Sequence, residues 1–187
     1  MKQMIKFGLI ELSLIGAGLL MLAGLVMGGE EREEEHEGQR QLASTPRFEL
    51  YQTECGSCHM AYPPALLPAR SWEALMAGLA DHFGDNAELS ADSAAKIRDH
   101  LLNNAADRSD ARRAFAFAKA VPAGQASLRI TETSYFQRKH REIPARLVQD
   151  NPKVGSLSNC QACHRQAEAG SFNEHTVNIP GYGRWDD

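Results

Sequence analysis

The sequence predicts a mainly α-helical protein built as two small lobes, and three observations carry that prediction. Apolar residues recur at helical spacing through residues 45–121, a break marked by proline and glycine follows at 122–124, and each half holds one copy of a five-residue unit, CxxCH. Ahead of both lobes stand a long apolar run and an acidic stretch.

At the N-terminus, Lys2 and Lys6 precede an apolar run from Phe7 to Met27 broken only by Glu11, with no charge from Leu12 through Gly29. A basic start followed by such a run is an export segment. The uncharged stretch of about 18 residues reaches the lower limit for a spanning helix, and no A-x-A cleavage site follows it. Residues 1–29 are therefore expected to act as a signal peptide or as an uncleaved anchor, with residues 7–29 in the cytoplasmic membrane. The lysines before the run and the acidic residues after it would place the rest of the chain in the periplasm. As a signal peptide, the segment would be cut near Gly28 or Gly29.

Residues 30–42 read as an acidic spacer, because EEREEEHE at 30–37 carries −5 and such blocks self-repel. The net charge of the chain is −4; removing the −5 of residues 30–37 and the +1 of residues 1–29 leaves residues 38–187 neutral. A neutral body argues against nucleic acid as a partner. His36 lies in this spacer as a solvated residue.

The first lobe is expected over 43–122. Thr45 and Pro46 read as N-cap and first helical residue, with Phe48, Tyr51 and Cys55 on one face, so the first CxxCH ends a short helix. AYPPALLP at 61–68 cannot be regular helix and is expected as a loop. Ser71 is expected to cap a second helix whose stripe of Trp72, Leu75, Met76, Leu79 and Phe83 ends at Gly84, with His82 on the same stripe. A third helix is predicted from about Ser90 through Leu102, and a fourth from about Asp110 to Val121.

The second lobe is expected over 123–187. Phe136, His140 and Ile143 share a helical face before Pro144 ends the segment. Ser158 is expected to cap a helix carrying the second CxxCH and ending at Gly170. The tail GYGRWDD has no periodicity.

All four cysteines lie in CGSCH at 55–59 and CQACH at 160–164. A disulfide framework, a zinc site and covalent haem attachment each account for paired CxxC units. The histidine decides among them. Attachment of c-type haem needs two thiols one helical turn apart for its two vinyl groups, and an imidazole directly after the second to bind iron. With 7 His in 187 residues, chance would place one after both units about once in 700 cases. Two covalently bound haem c groups are therefore expected, one on Cys55 and Cys58 with His59 on iron, the other on Cys160 and Cys163 with His164 on iron.

A haem with its sixth position filled favours electron transfer, and one left open permits ligand binding or catalysis. For the first haem, His82, Met76 and His100 are candidates: His82 is placed on an apolar face, Met76 fits the core stripe, and His100 lies beside the stripe of Ile97 and Leu101. For the second, His140 precedes the motif on an apolar face and His175 follows it in FNEHTVN, which reads as exposed loop. Around His140, Arg129, Arg138, Lys139, Arg141 and Arg146 suit haem propionates, an acidic redox partner or a solvated face.

Over about residues 50–187 the chain resembles the small periplasmic dihaem cytochromes c of proteobacteria. The resemblance rests on CGSCHMAYPPALLPARSW, LADHFGDNAEL, LRITETSYFQRKHREIP and SNCQACH, in that order. It implies two haem-wrapping lobes, the first similar to a helical mono-haem cytochrome c, with two bis-histidine low-spin haems. It also implies electron transfer between membrane b-type cytochromes and soluble haem proteins, with His82 and His140 as distal ligands, and it requires no histidine at 175. Together these readings lead to the expectation of a one-electron carrier rather than an enzyme. The alternative is a peroxidase-like or oxygen-binding haem protein with one open coordination site.

Overall fold

The computed structural model describes residues 48–185. The expected anchor, the acidic spacer and the helix start at Thr45 and Pro46 lie outside the described residues. Among the described residues, no helix is long and apolar enough to cross a membrane.

Helix α1 spans Glu49–Cys55 and buries Tyr51, so the first CxxCH begins where the helix stops, as the sequence predicts. The Gly56 amide donates back to the Gln52 carbonyl at 3.0 Å, and a β-carbon at Gly56 would collide with that oxygen. Glycine after the first cysteine is what lets the chain turn there. The following AYPPALLP segment is irregular, as expected, with one 3-10 turn at Pro64–Leu66, but it is core rather than periphery. Its carbonyls are used by aromatic donors: Tyr51 Oη donates to Tyr62 O at 2.8 Å and Trp72 Nε1 to Pro64 O at 2.7 Å.

Helix α2, Ala69–Ala77, is displaced from the predicted boundaries at both ends. It starts before Ser71 because Asp107 Oδ1 accepts from the Ala69 amide at 2.8 Å, a cap supplied from 38 residues away. Ser71 is instead fully buried inside the helix, where its Oγ accepts from the Ser127 amide at 3.1 Å. The helix stops at Gly78 rather than Gly84, and a 3-10 turn at Leu79–Asp81 carries the chain away. His82 therefore does not lie on a helix. Helix α3, Ala91–Asn103, begins within a residue of its predicted start, capped by Ser90, whose Oγ accepts from Ser93 N at 3.1 Å, and packs Ile97 and Leu101 against Trp72 and Tyr51.

Helix α4, Arg112–Ala120, buries Ala114 and Phe117. These join Ala65 and Leu66 on one side and Phe136 on the other in a single core cluster, which crosses the predicted lobe boundary at 122 and 123. Arg70 reinforces the crossing by donating to the carbonyls of Val121, Pro122 and Gln125 at 2.5, 3.1 and 2.5 Å.

Helix α5, Ser134–His140, is capped by buried Thr133, whose hydroxyl accepts from Phe136 N at 3.4 Å. Helix α6 is one turn, Cys160–Cys163, with Asn159 before it. The single helix expected from Ser158 to Gly170 is thus broken at His164, and a separate 3-10 turn, Ala167–Ala169, closes on Gly170. The aperiodic tail forms a small ribbon not foreseen from sequence: β1, Asn178–Ile179, pairs antiparallel with β2, Gly183–Arg184. Val148, Val154, Val177 and Ile179 make the cluster beneath it.

Candidate functional site

Two sites emerge, each built on one CxxCH. In the first, Cys55 ends α1, Cys58 is exposed, and His59 follows. The His59 Nδ1 lies 2.7 Å from the Met60 carbonyl, so that nitrogen carries the proton and Nε2 is left for a metal. Facing it is His82, with ring centres 6.2 Å apart and planes at 23°. His82 reaches this position from a tight turn in which its amide donates to Asp85 O at 2.7 Å. The next residue, Phe83, has φ +61°, is 45% exposed, and sits between the His82 ring at 4.8 Å and the Arg129 guanidinium at 4.0 Å. Burial and the neighbouring His59 hold the His82 imidazole below its ordinary range, against the pull of Asp85.

In the second site, α6 presents Cys160, Cys163 and then His164, and α5 ends at His140. The two ring centres are again 6.2 Å apart, with planes at 71°. His140 Nδ1 is 2.9 Å from the Phe136 carbonyl, and its ring stacks on Phe136 at 3.8 Å and 10°. His164 Nδ1 is buried without a hydrogen-bond partner, and burial, then His140 and Arg113, lower the imidazole to about 4. A cavity of about 440 Å³ opens between the rings and is lined by both cysteines and both histidines.

The spacing tests whether these residues fit a haem iron. An imidazole nitrogen binds a metal ion at about 2 Å and lies about 1.1 Å from its ring centre, so two imidazoles opposed across one ion have centres about 6 Å apart. Both pairs meet that requirement. Burial pushes the Cys55 and Cys160 thiols each up to about 11, which disfavours the thiolate form a zinc site needs at those two positions. All four cysteines are free, and among the described residues no cluster of three His, Cys, Asp or Glu could hold a metal, so the CxxC pairs do not converge on one zinc site.

The other candidates fall elsewhere. His100 packs against Phe48 and Tyr51, with ring centres at 5.0 and 5.8 Å, and Met76 packs on the edge of the first core cluster. His175 is exposed in the 3-10 turn Glu174–Thr176, at the lining of the second cavity. Of the basic residues, Lys139 pairs with Glu174 at 3.2 Å, Arg141 with Glu142 at 3.6 Å, and the Arg138 guanidinium lies 5.3 Å from the Tyr135 ring. Sequence reasoning missed Arg113 and Phe117, which come from the first half of the chain to line the second cavity. No local pattern marks them. It also missed Tyr62, whose ring stacks on His59 at 4.9 Å while its hydroxyl donates to Ser158 O at 2.8 Å.

Comparison with known proteins gives the family. The profile of the family described as Dihaem cytochrome c matches residues 51–172. A diheme cytochrome c from Shewanella baltica OS155 is 50% identical, with 75% of this chain and 99% of that one covered and a TM-score of 0.63. A diheme cytochrome c from Rhodobacter sphaeroides is 48% identical, with 67% and 96% covered and a TM-score of 0.60. No curated protein matches. The chain is a mainly helical member of the dihaem cytochrome c family and carries two covalently bound haem c groups.

Proposed function

We propose that this protein is a periplasmic one-electron carrier whose two haems are each held between two histidines. His59 and His82 would hold the first iron, and His164 and His140 the second. Thioethers at Cys55 and Cys58, and at Cys160 and Cys163, fix the two groups. The observation that carries this reading is the repeated 6.2 Å separation of facing imidazoles.

Bound haem iron supplies the one-electron change, and two imidazoles suit it to carriage because neither coordination position is left for substrate. The protein's part is to hold the rings. The Met60 and Phe136 carbonyls fix the tautomers of His59 and His140, placing the proton on Nδ1 in each. Arg113, which donates to the Phe172 carbonyl, and Lys139, paired with Glu174, line the second cavity and bring positive charge to where haem carboxylates would lie. Residues 1–29 would direct export, as a signal peptide or, through residues 7–29, as a membrane anchor. A membrane b-type cytochrome and a soluble haem protein are the expected redox partners, and an acidic partner surface would dock near Arg138, Arg141 and Arg146.

The test is low-temperature electron paramagnetic resonance of the oxidised protein with His82→Ala and His140→Ala variants. Two low-spin signals are expected in the parent, and each substitution converts one of them to high spin. The ring planes at 23° and 71° further require the two low-spin signals to differ in anisotropy, the second having the larger maximum g value. A high-spin signal in the parent would overturn the carrier reading in favour of an open site.

A further inference from the structure

Several hydrogen bonds join the two halves of the chain. Arg70 and Ser71 bind the linker, Arg113 donates to the Phe172 carbonyl, and Ser134 donates to the Ala120 carbonyl. The Arg70, Ser71 and Ser134 bonds involve no residue of either CxxCH turn, and Arg113 borders the second site alone. Tyr62 differs. It stands three residues after His59, with its ring parallel to that imidazole within 23° and 4.9 Å from it. Its hydroxyl spans 96 residues of sequence to the Ser158 carbonyl at 2.8 Å. That same carbonyl accepts from the Cys160 amide at 3.0 Å and lies 3.5 Å from Cys160 Sγ. The Tyr62 backbone is itself fixed, since its carbonyl accepts from Tyr51 Oη at 2.8 Å.

From this juxtaposition we infer that Tyr62 is the bridge between the two haems: a positioning residue whose ring-to-imidazole and hydroxyl-to-carbonyl contacts make the contiguous route for electron exchange from His59 to Cys160. The inference rests on the carrier reading above. One electron leaves the reduced haem and one arrives at the oxidised haem; no bond forms or breaks, and Tyr62 keeps its proton and its electrons. Its work is to hold two groups in register through a continuous chain of short contacts, as coupling between sites requires. Neither core cluster alone could do this. Tyr62 packs on the edge of both, which makes it a common wall of the two halves.

Two substitutions separate its functions. Tyr62→Phe keeps the ring on His59 and deletes only the bond to Ser158; Tyr62→Leu removes both. The measurement is the intramolecular exchange rate in the half-reduced holoprotein after flash photoreduction, with haem content, resonance spectra and both midpoint potentials recorded alongside. Tyr62→Phe is expected to slow exchange roughly fivefold and Tyr62→Leu roughly tenfold or more, with two low-spin haems retained. The two potentials should stay in place for Tyr62→Phe, since no charge is altered. General loosening of the fold would move the potentials as well as the rate, and that result overturns the inference. So does exchange within about twofold of the parent in Tyr62→Phe, which makes the direct gap between the haems the route. If Tyr62→Leu fails to retain its first haem, Tyr62→Phe decides alone. A parent that shows a high-spin haem defeats the carrier reading instead, and the spectra distinguish that failure from failure of the bridge.

Discussion

His82 and His140 occupy equivalent places but are delivered by unlike means. His140 closes α5, a helix capped by Thr133 and seated in the core through Phe136, and its ring is held by a carbonyl and by a stacked aromatic. His82 sits in a turn after a helix that stopped early, followed by a left-handed, exposed Phe83. Among the described residues no hydrogen bond fixes the His82 ring, whose neighbours are Phe83 and His59. Both rings nonetheless end 6.2 Å from their partners. On the proposed reading, a metal-ligand position is specified by where the ring ends, and the backbone that brings it there is free to differ. What differs is the cost of disturbing it.

The largest contrast is expected from removing one pair of thiols. Cys55→Ala with Cys58→Ala, and Cys160→Ala with Cys163→Ala, should each leave one covalent haem per chain by pyridine haemochrome assay. The second pair should lower the melting temperature more, because the cavity it leaves is walled by Phe117 and Leu66 as well as by the second half of the chain. Retention of two haems in either variant breaks the attachment assignment.

Next come the aromatic neighbours of His82 and His140. Phe136→Ala removes a 5% exposed ring from the core and from the face of His140, and should cost about 3–5 kcal/mol by denaturant unfolding. Phe83→Gly trades a cation–π contact worth about 0.5–1 kcal/mol for relief of a left-handed backbone, and should change stability by about 0.5 kcal/mol or less. Equal losses would mean that the turn around His82 is as firmly seated as the helix of His140.

The smallest expected effect concerns the histidine outside both sites. Burial holds His100 below its ordinary 6.5, so the unfolded chain takes up this proton first as pH falls. Stability from this residue is complete above about pH 6.5 and is lost as pH drops towards the folded value. His100→Gln should therefore flatten the decline in melting temperature between about pH 7 and 5 while leaving both low-spin signals in place. An unchanged acid limb would remove His100 as its source.

How much of this was legible in the sequence follows the range of the forces involved. The two CxxCH units are local spacing that points to a dihaem chain, and α3 begins within a residue of the start read at Ser90, so both were readable. Helix α2 was not, because its start depends on Asp107 and its end on Gly78 outcompeting an apolar stripe that runs on to Phe83. His82 was identified through that stripe, although the residue belongs to the turn beyond it. Helix α6 stops at Cys163, where sequence capping signals suggested Gly170, and the ribbon at the tail has strands of two residues, too short to show alternation. Arg113 and Phe117 reach the second cavity only through tertiary packing, which no local pattern encodes.

That last contribution bears on how the molecule can be assembled and inherited. A chain whose second cavity borrows a wall from α4 cannot finish its C-terminal half first, nor pass that half to another protein as a working piece. Synthesis from the N-terminus supplies the wall before the second CxxCH emerges, so the order of the halves along the gene is also the order in which the later site becomes buildable.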